Sequence, residues 1–144
     1  MFTRKQNRLQ NKIEEQFLTG LRSLGLAFGP TKLAQLNEFA QLLEKWNTIY
    51  NLTGIKNTAD WWTHHFLDSL AVVEYLTGDT MVDIGSGAGF PGVILGIAMP
   101  ETNVTLVDSN HKKGAFLREV SSRLGLKNIS VITTRVEDYK PVTR

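Results

Sequence analysis

Thr80-Met81-Val82-Asp83-Ile84-Gly85-Ser86-Gly87-Ala88-Gly89-Phe90-Pro91-Gly92 runs from a short apolar stretch into a glycine-rich turn. Thr80 to Ile84 suits a strand. The glycines after it let the backbone turn sharply and approach a ligand without side chains in the way. Two further short apolar runs follow, Val104 to Val107 and Ile129 to Ile132, with amphipathic, helix-like sequence between them. Strands alternating with helices predict βαβ units, hence an α/β fold with a parallel sheet and right-handed crossovers. Ligands of open α/β sheets bind beyond the carboxyl ends of the strands, which is where the glycine turn falls.

Upstream of Gly78 the pattern is different. Leu9, Ile13, Phe17, Leu21 and Leu24 recur at helical spacing, and so do Leu36, Phe39, Leu43, Trp46 and Tyr50. Gly25, Gly29, Pro30 and Thr31 lie between these two stripes, the chemistry of one helix stopping and another starting. Trp62, Phe66, Leu70, Val73 and Leu76 form another stripe that ends at Thr77-Gly78-Asp79. With no flexible linker in view, residues 1–78 are expected to pack on the sheet as a helical cap, and residues 79–144 to form the ligand-binding unit.

Composition narrows the chemistry. A chain of 144 residues, 42% hydrophobic and 21% charged, suits one globular domain with an appended element. It contains no cysteine, which excludes disulfides, thiolate metal sites and a cysteine nucleophile. No apolar run approaches the roughly 20 residues of a membrane span. The basic start, Met1 to Asn7, leads into a segment holding Glu14 and Glu15 rather than a signal-peptide core. A cytoplasmic protein without membrane association is expected. The net charge of +2 is small but uneven: Lys112, Lys113, Arg118, Arg123 and Lys127 face only Glu119 between residues 111 and 128.

The spacing of the turn separates ligand classes. A dinucleotide fingerprint counted from Gly85 needs glycine at position 90, where this chain has Phe90. The spacing is instead acidic-x-G-x-G-x-G, from Asp83 through Gly85, Gly87 and Gly89. A carboxylate at Asp83 suits a cationic ligand and repels a pyrophosphate. S-adenosylmethionine (AdoMet) carries an ammonium and a sulfonium and no phosphate. Asp108 ends the second strand 19 residues after Gly89, where a carboxylate can accept hydrogen bonds from both ribose hydroxyls. Glu137 and Asp138 follow the third strand, near the expected adenine edge.

Residues 42–139 resemble the bacterial glucose-inhibited division protein B family, methyltransferases acting on guanine N7 of 16S ribosomal RNA. The resemblance rests on Lys45-Trp46-Asn47, Tyr50-Asn51-Leu52-Thr53, His65-Phe66-Leu67-Asp68-Ser69-Leu70, the glycine turn with its exit Phe90-Pro91-Gly92, Leu106-Val107-Asp108-Ser109 and Arg135-Val136-Glu137. It implies a Rossmann-like class I AdoMet-dependent methyltransferase fold with an N-terminal helical cap. It also implies AdoMet contacts at Gly85, Phe90, Val136 and Glu137, a ribose contact at Asp108, and an active-site arginine at Arg135 facing RNA phosphates or the target base. Lys112 and Lys113 are expected to steer the RNA or the small ribosomal subunit. His64 and His65 receive no role.

The implied chemistry needs no catalytic acid or base and no metal, because guanine N7 has a lone pair and no proton to lose; in-line placement suffices. Two other readings stay open: the same fold acting on a non-RNA substrate, and a domain that binds AdoMet or RNA without turnover. A complete sheet of this type resembles a seven-stranded arrangement, whereas this sequence ends just after its third strand. The residues are therefore expected to be the first half of the sheet of a longer enzyme. Met81, Val82 and Ile84 would then leave an apolar face and an open edge, which invites pairing with a second copy.

Overall fold

The computed structural model describes residues 3–54, 57–85 and 87–141. Ser86 of the glycine turn, the last three residues, and the side chains of Leu9, Gln10 and Thr58 lie outside the described set. The elements run α1 (Arg4–Ser23), α2 (Pro30–Tyr50), α3 (Thr58–Asp60), a π-helical Trp61–Phe66, α4 (Leu67–Ala71), β1 (Thr80–Ile84), α5 (Gly92–Ala98), β2 (Asn103–Asp108), α6 (His111–Leu124) and β3 (Ile129–Thr133). Short 3-10 turns occupy Val73–Tyr75 and Val136–Asp138.

Local chemistry explains the starts. Thr3 and Gln6 form a capping box on α1, the Thr3 hydroxyl accepting from the Gln6 amide at 3.2 Å. Pro30 opens α2 at its first turn, where its missing N–H is no loss. Asn110 caps α6, its side-chain oxygen accepting from the Lys112 and Lys113 amides. The stripe read from Trp62 does not continue as a regular helix. The wide π turn shifts the phase, so Trp61 and Phe66, five residues apart, are both buried, and Trp62 is only half-buried.

The sheet is parallel, in the order β1-β2-β3. Side chains alternate across it. Val104 and Leu106 of β2 are buried on the helical side, and Met81 and Val131 pack against the same core. That core also takes in Phe17 and Leu21 of α1, Leu36, Phe39 and Leu43 of α2, and Phe116, Leu117 and Val120 of α6. On the other face Val82 and Ile84 are 42% and 55% exposed. Ile84, Val107 and Ile132 form one row across the three strands there. Among the described residues β1 has no hydrogen-bonded neighbour on its second side. The expectation that Met81 would join the uncovered face is corrected: strand alternation turns it inward, next to Asp83. Among the described residues no helix is long and apolar enough to cross a membrane.

Candidate functional site

The carboxyl ends of the three strands open into one cleft of about 570 Å³, within the range of small-molecule pockets. β1 contributes Ile84 and Gly85, and β2 contributes Val107, Asp108 and Ser109. The segment after β3 contributes Thr134, Arg135, Val136 and Glu137, and Lys113 reaches in from α6. The strand ladders run up to the rim: Gly85 N donates to Val107 O at 2.7 Å, and Thr134 N donates to Asp108 O at 3.0 Å.

Asp108 ties the cleft together. It is 8% exposed, so its charge needs compensation from nearby donors. Oδ2 accepts from the Gly87 amide at 2.9 Å and Oδ1 from the Asn110 amide at 2.8 Å. One carboxylate thus joins the glycine turn to the cap of α6. Each oxygen keeps a second acceptor direction, the capacity a vicinal diol would use. Asp108→Ala strands two amides without their acceptor. It is expected to cost about 1–3 kcal/mol of stability and to speed amide hydrogen exchange at Gly87 and Asn110. Protected exchange at both amides in the variant would contradict this bridging role.

Positive φ shapes the turn. Gly85 has φ +75° with nothing within 4 Å of an added Cβ, so glycine is needed there for backbone conformation and not for space against the protein. Gly89 has φ +97°, and an added Cβ would also lie 2.9 Å from Val93 Cγ2 and 3.0 Å from Phe39 Cζ. Here the turn is pressed against the core.

Asp83 and Phe90 stand apart from the cleft lining. Asp83 faces the helical side, and its Oδ2 accepts from Gly92 N at 2.9 Å at the start of α5. The Phe90 ring packs against Phe39, Phe66 and His65, at centroid distances of 5.8, 5.7 and 5.1 Å. Both residues hold the turn from behind. His65 thereby becomes a packing partner of the turn, and His64 is exposed.

The two lysines also separate. Lys113 Nζ lies 4.0 Å from a Cβ built on Gly87, within the cleft lining. Lys112 Nζ sits 5.4 Å from the centroid of the Tyr50 ring on α2. Farther along α6, Arg123 pairs with Glu119 at 2.8 Å and Arg118 donates to Thr133 Oγ1. The basic stretch is therefore not one uniform face.

Of the residues singled out by sequence, the cleft brings together Gly85, Asp108, Val136, Glu137, Arg135 and Lys113. Sequence reading missed Ile84, Val107, Ser109 and Thr134. Their signal was position alone, at or just beyond a strand's carboxyl end.

The family model described as rRNA small subunit methyltransferase G, GidB, matches residues 32–144. The chain is 45% identical over 127 residues to the Ribosomal RNA small subunit methyltransferase G of Coxiella burnetii (strain RSA 331 / Henzerling II), covering 88% of this chain and 62% of that protein. It is 48% identical over 122 residues to the protein of the same name from Nitrosococcus oceani, covering 85% of this chain and 57% of that one. A further relative of that name, from Laribacter hongkongensis, is 40% identical over 129 residues, covering 90% and 62%. The chain thus spans about three-fifths of the length of these curated relatives.

Proposed function

The chain belongs to the rRNA small subunit methyltransferase G family, GidB, and from that membership we propose that its cleft binds AdoMet and that the protein methylates N7 of a guanine in 16S ribosomal RNA. Its three-stranded parallel sheet with a helical N-terminal part is consistent with the class I methyltransferase fold. The observation that carries the proposal is the cleft at the strand ends, where a glycine turn at positive φ meets the buried Asp108 carboxylate. Asp108 and Glu137 give this cleft two carboxylates beside the cationic Lys113 and Arg135, so a cationic ligand such as AdoMet has anionic partners at the strand ends.

Roles follow from position. The Gly85 backbone bounds the side of the cleft nearest β1, and Asp108 would use its remaining acceptor directions on the ribose hydroxyls. Val136 and Glu137, on the turn after β3, would flank the adenine, the first by apolar contact and the second by accepting a hydrogen bond. Asp83, Gly87, Gly89 and Phe90 act on the cofactor indirectly by fixing the turn. Arg135 and Lys113 supply cationic groups for the phosphates of the incoming RNA. When bound, AdoMet supplies an electrophilic methyl group that the N7 lone pair takes without proton loss. The protein's task is orientation and exclusion of water. In this proposal residues 79–144 are the cofactor-binding unit, residues 1–78 are the cap, and the enzyme acts in the cytoplasm on the RNA or the small subunit.

The test is transfer of labelled methyl from AdoMet to deproteinised 16S RNA, to assembled small subunits and to a small-molecule panel. The expected product is N7-methylguanosine in digests of one of the ribosomal substrates. Label appearing only in small molecules would replace the RNA assignment. AdoMet binding with no transfer to any substrate would leave this chain a binding domain.

A further inference from the structure

The Tyr50-Asn51-Leu52-Thr53 motif has no part in the cleft, yet the structure gives it a defined surface. Tyr50 ends α2 and is 43% exposed. Its ring packs on Trp46 at a centroid distance of 5.5 Å, and Trp46 packs on the buried Phe116 at 5.6 Å. An exposed aromatic is thereby backed by the core. The chain beyond it is also fixed. Asn51 closes the helix in the left-handed region, φ 51° and ψ 56°, and Asn47 Oδ1 accepts from the Thr53 amide at 2.8 Å.

Lys112 Nζ lies over the same ring, 5.4 Å from its centroid. Lys113, the next residue, lines the cleft. The first turn of α6 therefore contributes one lysine to the Tyr50 ring and the next to the proposed cofactor site. The amides of Lys112 and Lys113 are taken by Asn110, so what this turn offers a partner is ammonium groups.

We propose that Tyr50 and Lys112 form a stacking platform for an unpaired nucleotide of the RNA, next to the one that enters the cleft. This rests on the RNA reading above. Unpaired bases are recognised by stacking on aromatic side chains, with cationic groups on the adjoining phosphates. Tyr50 supplies the ring, and Lys112 supplies the charge. An exposed ammonium–ring contact is weak, so an arriving base displaces Lys112 from the ring and the lysine turns to the phosphate. The charged neighbour of the ring is the cationic Lys112, which fits a nucleotide better than an apolar protein face.

The test measures binding of a fluorescein-labelled, unpaired oligoribonucleotide and of deproteinised 16S RNA by anisotropy. AdoMet affinity and thermal midpoint are read for every variant. Tyr50→Ala and Tyr50→Leu are expected to weaken RNA binding roughly 5- to 100-fold, with AdoMet affinity unchanged. Tyr50→Trp should retain RNA binding, and Lys112→Ala should lower the salt slope by about one. Leucine preserves apolar bulk against Trp46, so a folded Tyr50→Leu protein with wild-type RNA affinity overturns the proposal. So does equal loss in the leucine and tryptophan variants. Unchanged RNA affinity with weakened binding to assembled subunits would assign the platform to a ribosomal protein instead. If wild type binds AdoMet but neither RNA, the RNA reading itself fails, and this inference with it.

Discussion

Phe39→Ala is expected to destabilise the chain by about 3–5 kcal/mol, a large share of the roughly 5–15 kcal/mol that holds a typical domain folded. Phe39 is fully buried on α2 and touches three other rings: Phe66 at 5.7 Å, Phe90 at 5.8 Å and Phe116 at 6.3 Å. Those rings belong to the π-helical segment, the glycine turn and α6. Removing the central ring opens a cavity shared by all of them, and no single side chain can swing in to fill it. The turn suffers too, because Gly89 packs against the same ring. Urea unfolding followed by far-UV circular dichroism should show a lower midpoint with an unchanged slope. A loss below about 1 kcal/mol would mean that helices and sheet are not joined through this residue.

Much of this architecture is legible in the residues, and what is not has physical reasons. Thr80 to Ile84 reads as a strand because an apolar run stops at glycines, and its ends coincide with β1. The cleft positions of Gly85, Asp108 and Glu137 follow from the rule that βα turns gather at the carboxyl edge. The π turn was not legible, since Trp62, Phe66 and Leu70 keep a regular spacing that fits an ordinary helix. Trp61 is buried while Trp62 stays half-buried, with its ring edge-on to Phe17 of α1.

Side-chain direction was the other gap. Asp83 was read for its charge, yet strand alternation sends it to the helical face, where it receives the Gly92 amide. Phe90, a cofactor contact in the family pattern, turns its ring towards Phe39, Phe66 and His65. Lys112 and Lys113 look alike in sequence. About 100° of helical rotation between neighbours sends one to Tyr50 and the other into the cleft.

The other large effect concerns the cofactor. Gly85 holds φ +75°, a conformation that a β-branched residue adopts only under strain. An added Cβ there meets no protein atom within 4 Å, and Gly85 lines the cleft, so a Gly85→Val protein is expected to fold with its turn displaced at the cofactor site. Strain of about 1–3 kcal/mol corresponds to roughly five- to 150-fold in affinity. Asp83→Ala is a different control, because it removes the acceptor of the Gly92 amide behind the turn and should show first as lost stability.

The most direct measurement is calorimetric titration of AdoMet into the wild-type chain and into Gly85→Val, both checked for folding by circular dichroism. Saturable binding to wild type, weakened at least roughly fivefold in the variant, is the predicted result. Folded wild-type protein that binds AdoMet no more tightly than folded Gly85→Val would contradict the assignment of the cleft.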